Sequence, residues 1–291
     1  MTIFQSIVLG LIQGIAEFLP ISSSGHLKIT QELFGLGDVP LLFDIFLHLA
    51  TLLAVVIYFR KVIFRLISVL FRWVLRKSEP AQSVPETDSK TKALAPDDKT
   101  GRRTIIMVLV TTAITGVLGV ASAKIIPDLP VQFICIGFLV TSILLILSAV
   151  AERKFRRTDE NGAVAFSGIN LFQAVVIGIA QGVGTLPGIS RSGSTIAGAL
   201  FCKVDRITAG AYSFIVSIPA ILGAFVLELK DLDEISSGIG VAPVLFGCIA
   251  AFASGLASLS LLMKLINKGR LEFFACYLIP VSILLLILFK F

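Results

Sequence analysis

The chain has 291 residues, of which 56% are hydrophobic and only 15% charged, with a mean hydropathy of +0.94. That composition lies far outside the range of a soluble domain and points to an integral membrane protein. The net charge of +6 could suggest nucleic acid, but the basic residues fall in separate segments between apolar runs, so they report topology instead.

Residues 1–30 lack the basic start and small-residue cleavage site of a signal peptide, so they are expected to belong to the mature fold. Within them "QGIAEFLPISSSGH", at 13–26, is too polar and too broken by Gly and Pro for a uniform spanning helix, and a re-entrant hairpin over 3–35 is expected. A carboxylate at membrane depth is costly unless paired or hydrated, which makes Glu17 a candidate functional residue; the alternative is a capping or packing role. Gln13 lies one turn earlier on the same face, a neutral partner able to orient Glu17, a water or a cation. Pro20 ends the helical pattern. Ser22, Ser23, Ser24 and Gly25 then form a turn rich in hydroxyls and N–H groups, which reads as an anion cradle or as an ordinary helix cap. His26, beside the serines and a nearby carboxylate, is a candidate general acid or base.

Six apolar runs come near the ~20 residues a helix needs to cross a bilayer: 41–59, 104–123, 131–151, 207–229, 241–266 and 273–289. In the first, Asp44 and His48 make an i, i+4 polar pair that either adjoins the site or orders the helix. After it, Arg60, Arg65, Arg72 and Arg76 stand among apolar residues, as in an interfacial helix against anionic lipid or an extension of the preceding span. Residues 78–100, "SEPAQSVPETDSKTKALAPDDKT", are polar, Pro-containing and aperiodic, and read as a disordered cytoplasmic linker. Cys135, Cys202, Cys248 and Cys276 are scattered through apolar stretches without metal-like spacing and read as small buried hydrophobes.

The stretch "QGVGTLPGISRSGS", at 181–194, aligns without a gap with 13–26; Phe4, Gln5, Gly10, Gln13, Gly14, Ile21, Ser22, Ser24 and Gly25 all recur 168 residues later. The chain therefore carries an internal repeat: repeat one at 1–77, the linker, spans within 104–151, repeat two at 169–266 with its own hairpin at 169–203, and a last span at 273–289. Lys and Arg number eleven in 60–103, four in 151–168 and three in 264–270, against one each in 124–130 and 230–240, which puts the rich segments in the cytoplasm. Three spans then separate the two hairpins, so they enter from opposite sides. The expected fold is all-α, with six transmembrane helices and two re-entrant helical hairpins in an inverted-topology repeat, an architecture that sites a ligand near the midplane.

In the second hairpin Arg191 stands where the first has Ser23. An arginine there needs an acidic residue or an anionic ligand, and its planar fork suits phosphate oxygens, so Glu17 and a phosphate could share it. Ser190, Ser192, Ser194 and Thr195 add hydroxyls, and Gly188 and Gly193 let backbone approach closely. The two polar clusters make sense if they meet and hold an anionic group, expected to be phosphate, on a lipid substrate.

At these residues the chain resembles the undecaprenyl pyrophosphate phosphatase family, the bacitracin-resistance type of membrane phosphatase. Two motifs carry the resemblance: Gln13, Glu17, Pro20, Ser22, Ser23, Ser24, Gly25 and His26, and Pro187, Gly188, Ser190, Arg191, Ser192 and Thr195. The resemblance implies hydrolysis of undecaprenyl diphosphate to undecaprenyl phosphate and inorganic phosphate in the inner (plasma) membrane, at a site opening to the outer, periplasmic face. That step recycles the lipid carrier for peptidoglycan and confers bacitracin resistance. It also implies a divalent cation, Mg or Ca, and a homodimer. Mapped onto this sequence, Ser23 is the candidate nucleophile, with attack by water as the alternative. His26 is the acid/base and Arg191 the diphosphate clamp. Glu17 is the metal ligand or activating carboxylate. Gln13, Ser22, Ser24, Gly25, Ser190, Ser192 and Thr195 are expected to bind substrate. Phosphatidic-acid-type phosphatases need a histidine after the Ser-Arg element, and none follows His48. A flippase for polyprenyl phosphate is the alternative, since inverted repeats are transporter architecture.

Overall fold

The structure is a computed structural model that describes residues 1–36, 39, 41–77, 89–125, 130–156, 168–228 and 240–289. Among the described residues it is all-helical. The elements are α1 (Ile3–Phe18), α2 (Ser23–Leu33), α3 (Leu41–Tyr58), α4 (Arg60–Val74), α5 (Ser89–Leu94), α6 (Asp98–Ile125), α7 (Val131–Arg156), α8 (Leu171–Val183), α9 (Arg191–Phe201), α10 (Arg206–Glu228), α11 (Val241–Lys268) and α12 (Glu272–Leu288).

Among the described residues, four helices are long and apolar enough to cross a membrane: α6, α7, α10 and α11. The count rises to five if α3 and α4, bent by 78° at Phe59, form one span. The expected span at 273–289 is α12, apolar but only 17 residues long. Exposed Leu109, Val117, Ile143, Leu147 and Leu245 make the outer surface of these helices apolar, as lipid requires. The sharp bend before α4 rules out a straight extension of the preceding span.

The two stretches that repeat in sequence fold alike, each as a short helix, a turn and a second short helix. Both begin with a capping box, Thr2 with Gln5 on α1 and Asn170 with Gln173 on α8, which satisfies two N–H groups at each helix start, those of the N-cap and of the third helical residue. Each first helix then lies against a long one, α1 on α11 and α8 on α6. Glycines set how close they come: a Cβ on Gly14 would stand 2.1 Å from Ser254 Oγ and 2.4 Å from Ala251 O, and one on Gly182 would stand 2.6 Å from Leu118 Cβ. With Gly10 and Gly178 one turn earlier these are small-xxx-small faces, the usual device for bringing membrane helices into backbone contact. The hairpin turns also meet each other, since a Cβ on Gly193 would lie 3.0 Å from Pro20 Cβ. Below them Phe18, Phe59, Tyr212 and Phe214 anchor the largest buried apolar cluster, with Phe18 and Phe214 edge-to-face at 5.7 Å.

The reading of 78–100 as a disordered linker is corrected over its second half. Residues 89–94 form α5, and Thr91, Ala93, Leu94 and Ala95 are buried. Thr104 donates to Leu94 O at 2.6 Å, Arg65 to Ala95 O at 3.3 Å, and the Lys90 ammonium sits 3.7 Å over the Tyr58 ring. Asp98, in the first turn of α6, takes Arg72 in a two-pronged pair at 2.8 and 2.6 Å. A six-residue helix has no hydrophobic periodicity of its own, and what orders it is burial against α4 and α10. The first half of the expected linker, 78–88, lies outside the described residues. The cysteine reading holds for Cys135, which is buried, but Cys276 is exposed.

Candidate active site

The site grows from the end of α1. Leu19 leaves helical geometry with an extended backbone, Pro20 follows, and the chain re-enters a helix through Ser22 at φ 70°, a left-handed conformation that is uncommon for a residue with a side chain. Ser22 is the N-cap of α2, accepting from Gly25 N through its hydroxyl, so Ser23 becomes the first residue of α2. In the second hairpin Ser190 caps α9 by accepting from Gly193 N at 3.1 Å, and Arg191 becomes the first residue of α9.

Both first residues converge on Glu17. The Ser23 hydroxyl donates to Glu17 Oε2 at 2.6 Å, and Arg191 Nη2 donates to Glu17 Oε1. Gln13 Nε2 reaches Oε2 at 3.2 Å, and His48 Nε2 lies 3.6 Å from the same oxygen. The Glu17 side chain is only 5% exposed and that of Arg191 17%. A buried carboxylate is therefore held by a guanidinium, a hydroxyl and an amide, with an imidazole close by, which is how a charge is tolerated at such depth. Ser23 and Arg191 are the first residues of α2 and α9, so Glu17 lies beside the N-terminal turns of both helices, where the positive end of each helix dipole favours negative charge. Among the described residues, Nη2 is the Arg191 nitrogen with a protein partner; the remaining donors of its fork are open to an anion.

The other residues expected in the site make contacts of their own. Ser22 and Ser190 spend their hydroxyls on their own helix N-termini, with Ser24 at 3.4 Å and Ser192 at 3.3 Å beside them, while Thr195 turns back onto the Arg191 carbonyl. Gly25 approaches α7, where an added Cβ would stand 2.6 Å from Phe138. Gly188, at φ +81°, also lies against α7, its Cβ position 2.2 Å from Ile134 O, so this close approach serves helix packing. His26 sits in the first turn of α2 but reaches neither Ser23, Glu17 nor Arg191: Nδ1 bonds Ser22 O at 2.8 Å and Nε2 bonds Tyr277 Oη at 2.9 Å. His48 bonds the Asp44 backbone carbonyl through Nδ1, while the Asp44 carboxylate accepts from Gln31 at 3.1 Å.

Sequence reasoning missed Tyr277 and Thr141, whose hydroxyl accepts from Ser190 N at 3.0 Å. Nothing in their local sequence sets them apart. For a divalent cation, no group of three or more His, Cys, Asp or Glu stands together among the described residues. The oxygen donors to hand are the Glu17 carboxylate and Gln13 Oε1, which is buried without a hydrogen-bond partner. Mg-type ions are commonly held by one or two carboxylates plus substrate phosphate oxygens, and this donor set fits a cation shared in that way.

Comparison with known proteins agrees with this chemistry. The family described as "Bacitracin resistance protein BacA" matches residues 6–284. The chain is 44% identical to the undecaprenyl-diphosphatase of Treponema denticola over 289 residues, 99% of this chain and 98% of that one. It is 36% identical to the undecaprenyl-diphosphatase of Borrelia recurrentis, covering 96% of both. It is also 38% identical to that of Desulfosudis oleivorans, covering 94% of this chain and 93% of the other.

Proposed function

The chain belongs to the bacitracin resistance protein BacA family, and from that premise we infer that it is an undecaprenyl-diphosphatase. It is an enzyme of the membrane, hydrolysing undecaprenyl diphosphate to undecaprenyl phosphate and inorganic phosphate, an activity that fits peptidoglycan synthesis and bacitracin resistance. The relatives are named for hydrolysis, so a flippase is not favoured.

The observation that carries the mechanism is the convergence of Ser23 and Arg191 on Glu17. In our reading Ser23 Oγ attacks the terminal phosphorus and passes its proton to Glu17 Oε2. The phosphoanhydride P–O bond breaks and undecaprenyl phosphate leaves with the bridging oxygen. Water then cleaves the phosphoseryl ester, releasing inorganic phosphate, and Glu17 returns the proton to Ser23. Arg191 and the N-termini of α2 and α9 neutralise the charge that builds on the phosphoryl oxygens. Glu17 and Gln13 Oε1 would hold the cation, which when bound supplies charge neutralisation at the diphosphate. The acid/base role expected of His26 passes in this reading to Glu17, the carboxylate that Ser23 touches.

We further propose that the two hairpins are re-entrant and enter from opposite faces, giving six spans in an inverted-topology repeat. The site opens to the outer face of the inner (plasma) membrane, and two copies of the chain form a dimer. Support for the repeat comes from the matched capping boxes, the matched glycine faces and the shared helix–turn–helix form.

Phosphate release from undecaprenyl diphosphate by detergent-solubilised protein tests the function, since a transporter needs sealed vesicles and would release none. Glu17→Gln should lose about 10²–10⁴-fold, the range of a general acid–base contribution. An acid-quenched reaction should hold phosphate on Ser23; phosphate release with full activity in Ser23→Ala would transfer the attack to water.

A further inference from the structure

His26 is wedged between two helices that the repeat does not contain. Its ring centroid lies 4.9 Å from that of Phe138 on α7 and 5.8 Å from that of Tyr277 on α12, stacked within 17° of the latter. The hydrogen bonds fix its protonation pattern. A carbonyl oxygen can only accept, so at the 2.8 Å contact with Ser22 O the proton is on Nδ1. In the neutral ring Nε2 is then an acceptor, and the 2.9 Å contact with Tyr277 makes the phenol its donor. The network thus assigns the tautomer.

What the imidazole grips is the one residue in the hairpin turn with unfavourable backbone geometry. Ser22, at φ 70°, receives both the His26 ring N–H and, at 3.3 Å, the His26 backbone N–H on its carbonyl. Ser22 immediately precedes Ser23, whose hydroxyl must point at Glu17. A left-handed serine persists only where its surroundings over-determine it.

We propose that Tyr277 is a positioning residue for the phosphatase reaction: its hydroxyl donates to Nε2 of His26 and holds the ring where Nδ1–H clamps the Ser22 carbonyl, which aims Ser23 at Glu17. This rests on the catalytic reading above and extends the site to the last helix of the chain. The ring stacking anchors the plane of the imidazole, while the hydroxyl, donating to Nε2, holds it in the orientation in which Nδ1–H meets the Ser22 carbonyl. Tyr277→Phe separates the two, because it keeps the ring and removes only the donor.

The chain has two histidines, so ¹⁵N-histidine labelling of the full-length protein yields two imidazoles, and His48→Gln identifies the signals of His26. In the wild type His26 should show a protonated Nδ1 and an unprotonated, hydrogen-bonded Nε2. In Tyr277→Phe the Nε2 hydrogen-bond shift should vanish, kcat should fall about tenfold, the size of one lost hydrogen bond, and KM should stay within about twofold of wild type. In a His26→Ala background the same substitution should have no further effect, since the two act as one unit. A proton on Nε2 of His26 in the wild type, or unchanged kcat in Tyr277→Phe, overturns the proposal. The tautomer measurement needs no turnover, so it is decided independently of whether wild-type protein releases phosphate.

Discussion

Arg191 has two duties that substitution can separate. It neutralises Glu17, and in our reading its remaining donors hold the diphosphate. Lysine keeps the charge and loses the planar fork. If the fork acts on the transferring phosphoryl group, Arg191→Lys should cost activity about 30-fold or more, corresponding to ~2 kcal/mol in the barrier, with little change in melting temperature. Arg191→Ala should lower both rate and stability, because it leaves a carboxylate with a 5% exposed side chain without its cation, a loss of about 3–5 kcal/mol in buried pairs. Rate and melting temperature measured on one preparation check both, and a Lys variant as active as wild type would reduce Arg191 to the ion-pair partner of Glu17. The sequence supplied the candidates here by a chemical argument alone: charges at membrane depth must find partners. It left undecided which groups meet, and the structure answers with Ser23, Arg191 and Gln13 on a single carboxylate.

At the scale of elements, the site depends on how closely α1 and α8 can approach their neighbours. A methyl at Gly14 would run into the Ala251 carbonyl at 2.4 Å and the Gly255 nitrogen at 2.6 Å, backbone atoms that cannot swing aside. Gly14→Ala should therefore destabilise the protein by about 1–3 kcal/mol, the usual cost of overpacking, and lower phosphate release by displacing Glu17, one turn away on α1. Gly116, on α6, meets nothing within 4 Å of a built Cβ, so Gly116→Ala should leave melting temperature and rate unchanged. The second element-scale test concerns α5. Leu94 is fully buried, and Leu94→Ala should cost about 2–5 kcal/mol, measured as thermal stability in detergent. A disordered linker would show no loss. The glycine faces were present in the sequence as ordinary apolar-run glycines; α5 had no signal, because its burial comes from helices distant in the chain.

For the whole molecule, the distribution of Lys and Arg predicts which side each connection occupies. In a background without native cysteines, Ser89→Cys, at the exposed start of α5, should resist an impermeant thiol reagent in intact cells. Gly240→Cys, at the exposed N-cap of α11, should react. The reverse labelling pattern would overturn the opposed entry of the two hairpins, and with it the outward-facing site.

Composition and the repeat were enough to establish a helical membrane protein and to bring Gln13, Glu17, Ser23 and Arg191 forward, while the reaction class came from the resemblance that the two motifs carry. These features are local, since hydropathy, Gly-Pro breaks and unpaired charge in an apolar run are each legible within a few residues. The tertiary structure decided what depends on residues far apart in the chain. It bent α3 against α4, buried α5, turned the Ser22 and Ser190 hydroxyls to capping, and carried His26 away from Ser23 toward Tyr277 on the last helix. The physical reason is that a hydrogen bond is directional and each N–H or O–H is given to one acceptor at a time. Which of several nearby acceptors a ring nitrogen or hydroxyl takes is set by packing, here by α7 and α12 closing on the first hairpin, and no window of sequence contains both sides of that contact.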